Sequence, residues 1–222
     1  MGQNTTVLGI VGVVVILVVL LSPTLFVAGQ NLINDLFEGW SSFWSQYSGS
    51  SGQMGVGATI YFADGTTDEI KPSGGQFLPL TVTYNDKEID SVQFKMMGYF
   101  EYTGTLTHVN FNGELNFNFG ADSQVKTKAL SKNMDQGDVG MPKSSAVTEY
   151  GSLYVTSQEL QNAVPESGEY TGIAYGHGTL TLTFEDGTVE SITDQTKETQ
   201  FQYYVSTSGV ISALSLWVAP LT

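Results

Sequence analysis

The chain contains no cysteine and no arginine in its 222 residues. Without cysteine it forms neither disulfide bonds nor thiolate metal sites, so its stability must come from packing and strand pairing. Its eight basic residues are all lysine and stand against 22 acidic residues, giving a formal net charge of -14. Binding to nucleic acid needs clustered cations and commonly uses bidentate arginine contacts. The composition therefore argues against a nucleic-acid partner.

Recognisable catalytic motifs are missing as well. The two histidines, His108 and His177, are too far apart along the chain for a histidine zinc motif. The sequence contains no G-x-S-x-G nucleophile elbow and no phosphate-binding P-loop. We therefore expect a protein that is not an enzyme and that carries no cofactor.

Acidic residues near predicted turns are the candidates for a metal site. Asp64, Asp68 and Glu69 form one such cluster, and Asp186 belongs to another. Carboxylate oxygens are the ligands that calcium prefers, but neither cluster has the spacing of a calcium-binding loop. Because aspartate before glycine is also ordinary turn chemistry, the sequence favours solvated turns over calcium sites.

Charge is absent from the first 34 residues, and residues 7–29 are almost continuously apolar. As a helix, this stretch is roughly 34 Å long, enough to cross a hydrocarbon layer of about 30 Å. A secretory signal has a basic start and a shorter apolar core, and neither feature is present here. We expect the segment to be retained, either in a lipid membrane or in a bundle of similar helices.

The apolar residues after Leu25 recur at intervals of three and four, which is typical of an amphipathic helix. Residues 1–48 are therefore predicted to form one helix, kinked near Pro23 because proline removes a backbone hydrogen bond. The glycine- and serine-rich residues 49–55 are a predicted linker. The side chains expected to contact lipid or neighbouring subunits are Val14, Leu17, Leu21, Pro23, Phe26, Leu36, Phe37, Trp40, Phe43, Trp44 and Tyr47.

Residues 56–222 are predicted to form a β-rich exterior domain. Strict alternation in 109–119 places Phe111 and Phe117 on one face of a strand and Asn110 and Asn112 on the other. The other predicted strands are 58–62, 78–84, 91–102, 172–184, 201–206 and 210–218. Many short strands with little helical period predict an all-β antiparallel sandwich of the jelly-roll or immunoglobulin-like kind.

Several dipeptides predict tight turns between these strands. Asp64-Gly65 and Asp186-Gly187 are strong signals for type I′ hairpin turns, in which both central residues have positive φ. Asn85-Asp86 and Asn112-Gly113 are further candidates.

Two segments of the exterior domain depart from the strand pattern. Residues 157–163 are expected to form a short helix with Ser157 as its N-cap. Residues 121–145 have little apolar pattern and hold four of the eight lysines. This composition indicates a long exposed loop suited to contact with a partner.

A weak internal repeat links two parts of the domain. Residues 57–66 resemble residues 178–188, and Ile70 recurs as Ile192. Each copy predicts a strand, an Asp-Gly turn and a returning strand. Duplication would give two similar halves, and convergence of two hairpins on the same turn chemistry explains the likeness as well. Both explanations remain open at the level of sequence.

A long N-terminal helix, apolar first and amphipathic afterwards, followed by a β-rich head resembles the layout of type IV filament subunits, particularly archaeal pilins and archaellins. Gly2-Gln3 resembles the processing junction of archaeal prepilins, although no basic residue precedes it and Val7 stands where many such proteins carry glutamate. The resemblance implies a structural subunit whose helices bundle in a filament core while the heads form the surface. Its partners would be copies of itself or other structural subunits.

Two other functions fit the same layout. One is a membrane-anchored capsid, penton or spike protein of a virus with an internal membrane, which agrees with a start that lacks a processing signal. The other is a single-pass surface receptor or enzyme. In each case the helix anchors the chain in a membrane or core and the acidic β domain faces outward, on a cell-surface filament, a virion or a cell.

Overall fold

The computed structural model describes residues 50–72, 79–120, 124–136, 147–196 and 198–221. The predicted leading helix, residues 1–48, lies outside the described residues. The described part of the chain contains ten strands and one short helix. The strands are β1 (Ser51–Phe62), β2 (Thr67–Ile70), β3 (Leu80–Glu101), β4 (Leu106–Asn118), β5 (Val125–Asp135), β6 (Thr148–Thr156), β7 (Gly168–Phe184), β8 (Val189–Gln195), β9 (Thr199–Val205) and β10 (Ile211–Val218), and the helix is α1 (Ser157–Ala163).

The predicted sandwich of two separate sheets, jelly-roll or immunoglobulin-like, is wrong. All ten strands belong to one antiparallel sheet in the order β2-β1-β3-β10-β9-β7-β4-β5, with β6 paired to β3 and β8 paired to β7. The reason is the length of β3. Its first half, 80–88, pairs with β10, and its second half, 89–101, pairs with β1 and β6. Because one strand serves both parts, the sheet is continuous and curls over its own core.

The sequence suggested a break in β3 at Asn85-Asp86, and the structure has a bulge there instead. Asp86 has a φ of 47°, a left-handed conformation that aspartate tolerates. On β10 the pairing register shifts between Ala213 and Ser215, which lie opposite Lys87 and Thr83. Extra residues on one strand of a pair bend it and increase its twist. The turn-like residues therefore bend one long strand rather than ending it.

The core lies between the facing parts of the curled sheet. The alternation predicted in β4 is confirmed, because Val109, Phe111 and Phe117 are fully buried. The Phe117 ring stacks on Phe94 of β3 with 4.7 Å between ring centroids, and Phe111 stacks on a tyrosine of β6 at 4.5 Å. These stacks join strands that share no ladder, so apolar burial and ring packing hold the curl closed.

Asn112-Gly113 is not a turn, since both residues lie within β4. Gly113 faces Gly178 of β7, and a Cβ built on Gly113 would stand 2.4 Å from the carbonyl oxygen of His177. A side chain does not fit at that distance. Glycine is required here by the close approach of two strands, not by a change of chain direction.

The hairpins at Asp64-Gly65 and Asp186-Gly187 are confirmed, but their turn type is not I′. In each, the strand ends pair across three residues, and the glycine alone has positive φ, 82° at Gly65 and 85° at Gly187. This is the geometry of a type I turn followed by a glycine bulge. The β9–β10 hairpin repeats it at Gly209, with a φ of 84°.

The two hairpins of the internal repeat share their register as well as their turn. Ala58 pairs with Ile70 in the first, and Leu180 pairs with Ile192 in the second. Both pairs lie at the same distance from their turns. The surrounding strands differ, because β3 has 22 residues and β9 has seven. The likeness is therefore shown for the hairpins, and a duplication of whole halves stays a prediction.

The predicted loop at 121–145 is wrong over much of its length. Residues Val125–Asp135 form β5, which pairs with β4 along its whole length. The short helix is confirmed at Ser157–Ala163, with Thr156 rather than Ser157 as its N-cap. In the predicted linker, β1 begins at Ser51, so residues 51–55 are strand. Within the described ranges no helix has the length and apolar character needed to cross a membrane.

Candidate interaction surface

The residues predicted to contact lipid or neighbouring subunits lie outside the described part of the chain. They are Val14, Leu17, Leu21, Pro23, Phe26, Leu36, Phe37, Trp40, Phe43, Trp44 and Tyr47. The predicted metal candidates and both histidines are described, and each occupies a defined place in the sheet.

Asp64 and Asp186 serve the turns that contain them. The Asp64 carboxylate accepts hydrogen bonds from the Thr66 hydroxyl and amide, and it forms an ion pair with Lys87 at 3.2 Å. These hydrogen bonds lower its pKa from 3.8 to about 2. Asp186 accepts from the Thr188 amide at 2.9 Å, which also lowers its pKa. Both carboxylates therefore form hydrogen bonds within the hairpin turns that contain them.

Asp68 and Glu69 on β2 are engaged by different neighbours. The Tyr84 hydroxyl donates to Asp68 at 2.9 Å. Glu69 forms ion pairs with Lys95 and Lys71, and the Lys95 contact is the largest cause of its lowered pKa. Alternate positions of a strand point to opposite faces, so these two carboxylates diverge. Among the residues that the structure describes, no group of three or more acids and histidines is placed to hold a metal.

The two histidines lie on the outward side of β4 and β7, each beside an acid. His108 Nδ1 lies 2.5 Å from Asp135 Oδ1, and His177 Nδ1 lies 3.7 Å from Glu114 Oε1. The His108–Asp135 pair lies in one row of residues paired across neighbouring strands, and the His177–Glu114 pair lies in another. Between the rows lie two further rows made of amides and hydroxyls alone.

We call these two rows the outer polar face. They lie on β5, β4, β7 and β8 and are set by the register of the sheet. Their members are Asn133, Asn110, Thr181 and Ser191 in one row and Ser131, Asn112, Thr179 and Thr193 in the other. None of the eight is charged or buried, in a protein whose formal net charge is -14. The face therefore presents neutral hydrogen-bond donors and acceptors at the regular spacing of the strands.

Hydrogen bonds within the outer polar face order its side chains. The Asn110 amide donates to Asn133, and the Asn112 amide donates to Asn110. The Thr179 and Thr193 hydroxyls are 3.0 Å apart and hydrogen-bonded. Side chains held this way lose less conformational freedom when a partner binds than freely rotating ones do.

The edge of the sheet at β5 is closed by lysines. Lys126 and Lys132 lie opposite Phe117 and Phe111 of β4, so they start on the core side of β5. Lys126 Nζ donates a hydrogen bond to the Tyr154 carbonyl at 2.7 Å. Lys132 Nζ donates one to the Glu149 carbonyl, also in β6, at 2.6 Å. We call this contact between β5 and β6 the lysine seam. Side-chain ammonium groups replace a backbone ladder there.

Helix α1 adds a carboxylate to the lysine seam. Lys126 forms an ion pair with Glu159 at 2.5 Å. Burial alone would raise the pKa of Glu159, but hydrogen bonds from Lys126 and the Thr156 amide outweigh it, so the pKa lies below its ordinary value. The same glutamate completes the capping box with Thr156. The helix start and the sheet edge therefore share one charged group.

A second seam joins β1 to β8 and β9 with side chains of opposite character. The Ser50 amide donates to Glu190 at 2.9 Å, and the Met54 amide donates to Asp194 at 3.1 Å. The buried Thr199 hydroxyl donates to the Val56 carbonyl at 2.7 Å. We call this the acidic seam. Carboxylates of an edge strand here occupy backbone donors that another strand would need.

Charged side chains that point inward from edge strands prevent further strands from adding. The lysine seam does this at β5, and the acidic seam does it at β8. The sequence contains a signal for such an edge strand at β5. In 126–134, lysines and apolar residues alternate with exposed residues at period two, which is the pattern of an edge strand.

Comparison of the sequence with known protein families, with curated proteins and with solved structures finds no match in any of the three.

Proposed function

We propose that this chain is a non-enzymatic structural subunit of a surface assembly, with its N-terminal segment in a membrane or a filament core and its β domain exposed. The observation that carries the proposal is the combination of two blocked edges, at β5 and β8, and an open neutral face. The two seams block strand addition at β5 and β8, while no other part of the described chain covers the outer polar face. A subunit built this way meets its neighbours through the face of its sheet.

The size of the outer polar face indicates that it supplies only part of the attachment between subunits. Four strands spaced about 4.8 Å apart and two rows spaced about 6.8 Å apart give a surface on the order of 250 Å². A stable interface buries about 800 Å² on each partner. Contacts through this face alone are therefore weak, and the apolar residues 7–29 would supply the main attachment. This is the arrangement that the pilin-like layout implies.

The proposed partners are copies of this chain or other structural subunits, together with a lipid membrane. A virion protein is the second candidate, favoured by one sequence feature: Val7 stands where many pilins carry glutamate. Both candidates make the chain an assembly subunit. They differ in the particle that it builds.

Negative-stain microscopy of purified full-length protein separates these candidates. Fibres support the filament subunit, closed shells support the virion protein, and dispersed single particles contradict both. The substitution Val14→Lys places a charge in the apolar segment, which costs several kcal/mol whether that segment is in lipid or in a packed core. We expect it to abolish assembly. Val125→Lys, at an exposed position of β5, is the matched control and should assemble normally.

A further inference from the structure

A shallow groove of about 250 Å³ lies on the outward surface of the sheet, where β3, β10 and β9 run side by side. It is lined by Trp217 and Ser215 of β10, Gln200 and Gln202 of β9, and Thr81 of β3. Trp217 pairs with Gln200 on one side and with Thr81 on the other, so the indole stands between an amide and a hydroxyl.

The lining is neutral and rich in groups that both donate and accept hydrogen bonds. None of the five described residues that line the groove is charged. The Ser215 hydroxyl donates to the Gln202 side-chain oxygen at 2.6 Å, which fixes the orientation of that carboxamide. Its NH₂ group, with two donor hydrogens, then lies on the other side of the amide. Gln202 and Thr81 are exposed, and Trp217 is half-buried.

We propose that this groove binds one ring of a neutral oligosaccharide. The half-buried indole offers apolar surface for the C–H face of a sugar ring, and the surrounding amides and hydroxyls match the ring hydroxyls. An anionic ligand would find no cation in the lining, and a cationic ligand would find no carboxylate. The volume is below the roughly 300–1,000 Å³ of pockets that enclose drug-sized molecules, which fits one ring of a chain lying across an open surface.

This inference goes beyond the proposed function and does not rest on it. Recognition of a saccharide would give an exposed subunit a target, such as a surface polysaccharide, whether the subunit builds a filament or a shell. The groove lies on β10 and β9, apart from the strands that carry the outer polar face. Binding in the groove and assembly through the face are therefore tested by different variants.

The test is calorimetric titration of the full-length protein, held in a detergent without a sugar headgroup, with cellohexaose, mannohexaose, xylohexaose and chitohexaose. We expect saturable binding of at least one of them. Trp217→Ala should weaken that binding at least about tenfold, because it removes the stacking surface. Gln202→Ala should weaken it as well. Tyr175→Ala, an exposed aromatic of β7 outside the groove, should leave it unchanged.

Folding of each variant is checked by circular dichroism, and Gln202→Ala keeps the test informative if Trp217→Ala fails to fold. The proposal is overturned if none of the four hexasaccharides binds saturably at millimolar concentration. It is also overturned if binding persists undiminished in folded Trp217→Ala, or if Tyr175→Ala loses binding to the same extent.

Discussion

Tyr150 on β6 carries the single side-chain polar atom, within the described residues, that is buried without a hydrogen-bond partner. The residue is 2% exposed, and its ring stacks on Phe111 with 4.5 Å between centroids. Burying an unpaired hydroxyl costs about 1–3 kcal/mol. Tyr150→Phe removes that oxygen and keeps the stacked ring. We therefore expect it to raise the free energy of unfolding by about 1 kcal/mol.

Tyr203 on β9 is the matched control, because it is equally buried but satisfied. Its hydroxyl donates to the Phe119 carbonyl at 2.7 Å. Tyr203→Phe removes this bond and leaves a buried carbonyl without its donor, which should cost about 1–2 kcal/mol. The same substitution is therefore expected to raise the free energy of unfolding at position 150 and to lower it at position 203. The difference comes from the presence of one acceptor.

The assay is thermal unfolding of the full-length protein in detergent micelles, followed by near-ultraviolet circular dichroism. For a domain of this size, 1 kcal/mol shifts Tm by roughly 2–4 °C. The Tm of Tyr150→Phe should therefore lie measurably above that of the wild type, and the Tm of Tyr203→Phe measurably below it. Burial raises the pKa of the Tyr150 hydroxyl. Wild-type stability should therefore decline above about pH 10, where the unfolded chain ionises first, and Tyr150→Phe should reduce that decline. A fall in Tm for Tyr150→Phe equal to that of Tyr203→Phe would refute the reasoning.

Two further predictions concern the glycine contacts and the turns. Gly178→Ala would place a Cβ 2.3 Å from the Phe111 ring and should destabilise the fold by about 3 kcal/mol. Gly168→Ala is the control, because the nearest atom to its Cβ is 3.9 Å away, and it should change Tm little. Equal changes in Tm for the two variants would contradict the close packing described at Gly178. The pKa of Asp64 is lowered to about 2, so its contribution is present above about pH 4 and lost as the pH falls toward 2. Asp64→Asn should therefore lower Tm at pH 7 and reduce the loss of stability at acid pH, while Asp90→Asn, at an exposed position of β3, should leave Tm at pH 7 unchanged.

Local geometry was predictable from the sequence where one rule governs it. Period-two alternation located β4 and placed Asn110 and Asn112 outward, where the outer polar face lies. The glycines after Asp64 and Asp186 located two hairpins, although their turn type depends on how the strand ends pair. These features depend on residues close together in sequence.

Features that depend on distant partners were not predictable in the same way. Asn85-Asp86 has turn chemistry, but pairing with β10 makes it a bulge in a strand that runs on. Lys126 and Lys132 indicated a loop because lysine is charged at its end, although the rest of its side chain is apolar. In the fold the apolar part of each side chain lies on the core side of β5, and the ammonium group reaches β6. The groove at Trp217 needs three strands side by side and has no local signature.

The central claim is that neighbouring subunits meet through the outer polar face, not through added strands. Because the chain has no cysteine, a single thiol at Ser131→Cys reports on the face, and one at Ser208→Cys, in the exposed β9–β10 turn, serves as control. The measurement is the rate of thiol alkylation in assembled protein and in the same variants dispersed by Val14→Lys. The account predicts that assembly slows the reaction at position 131 and leaves position 208 unchanged. An equal rate at position 131 in both states would contradict it.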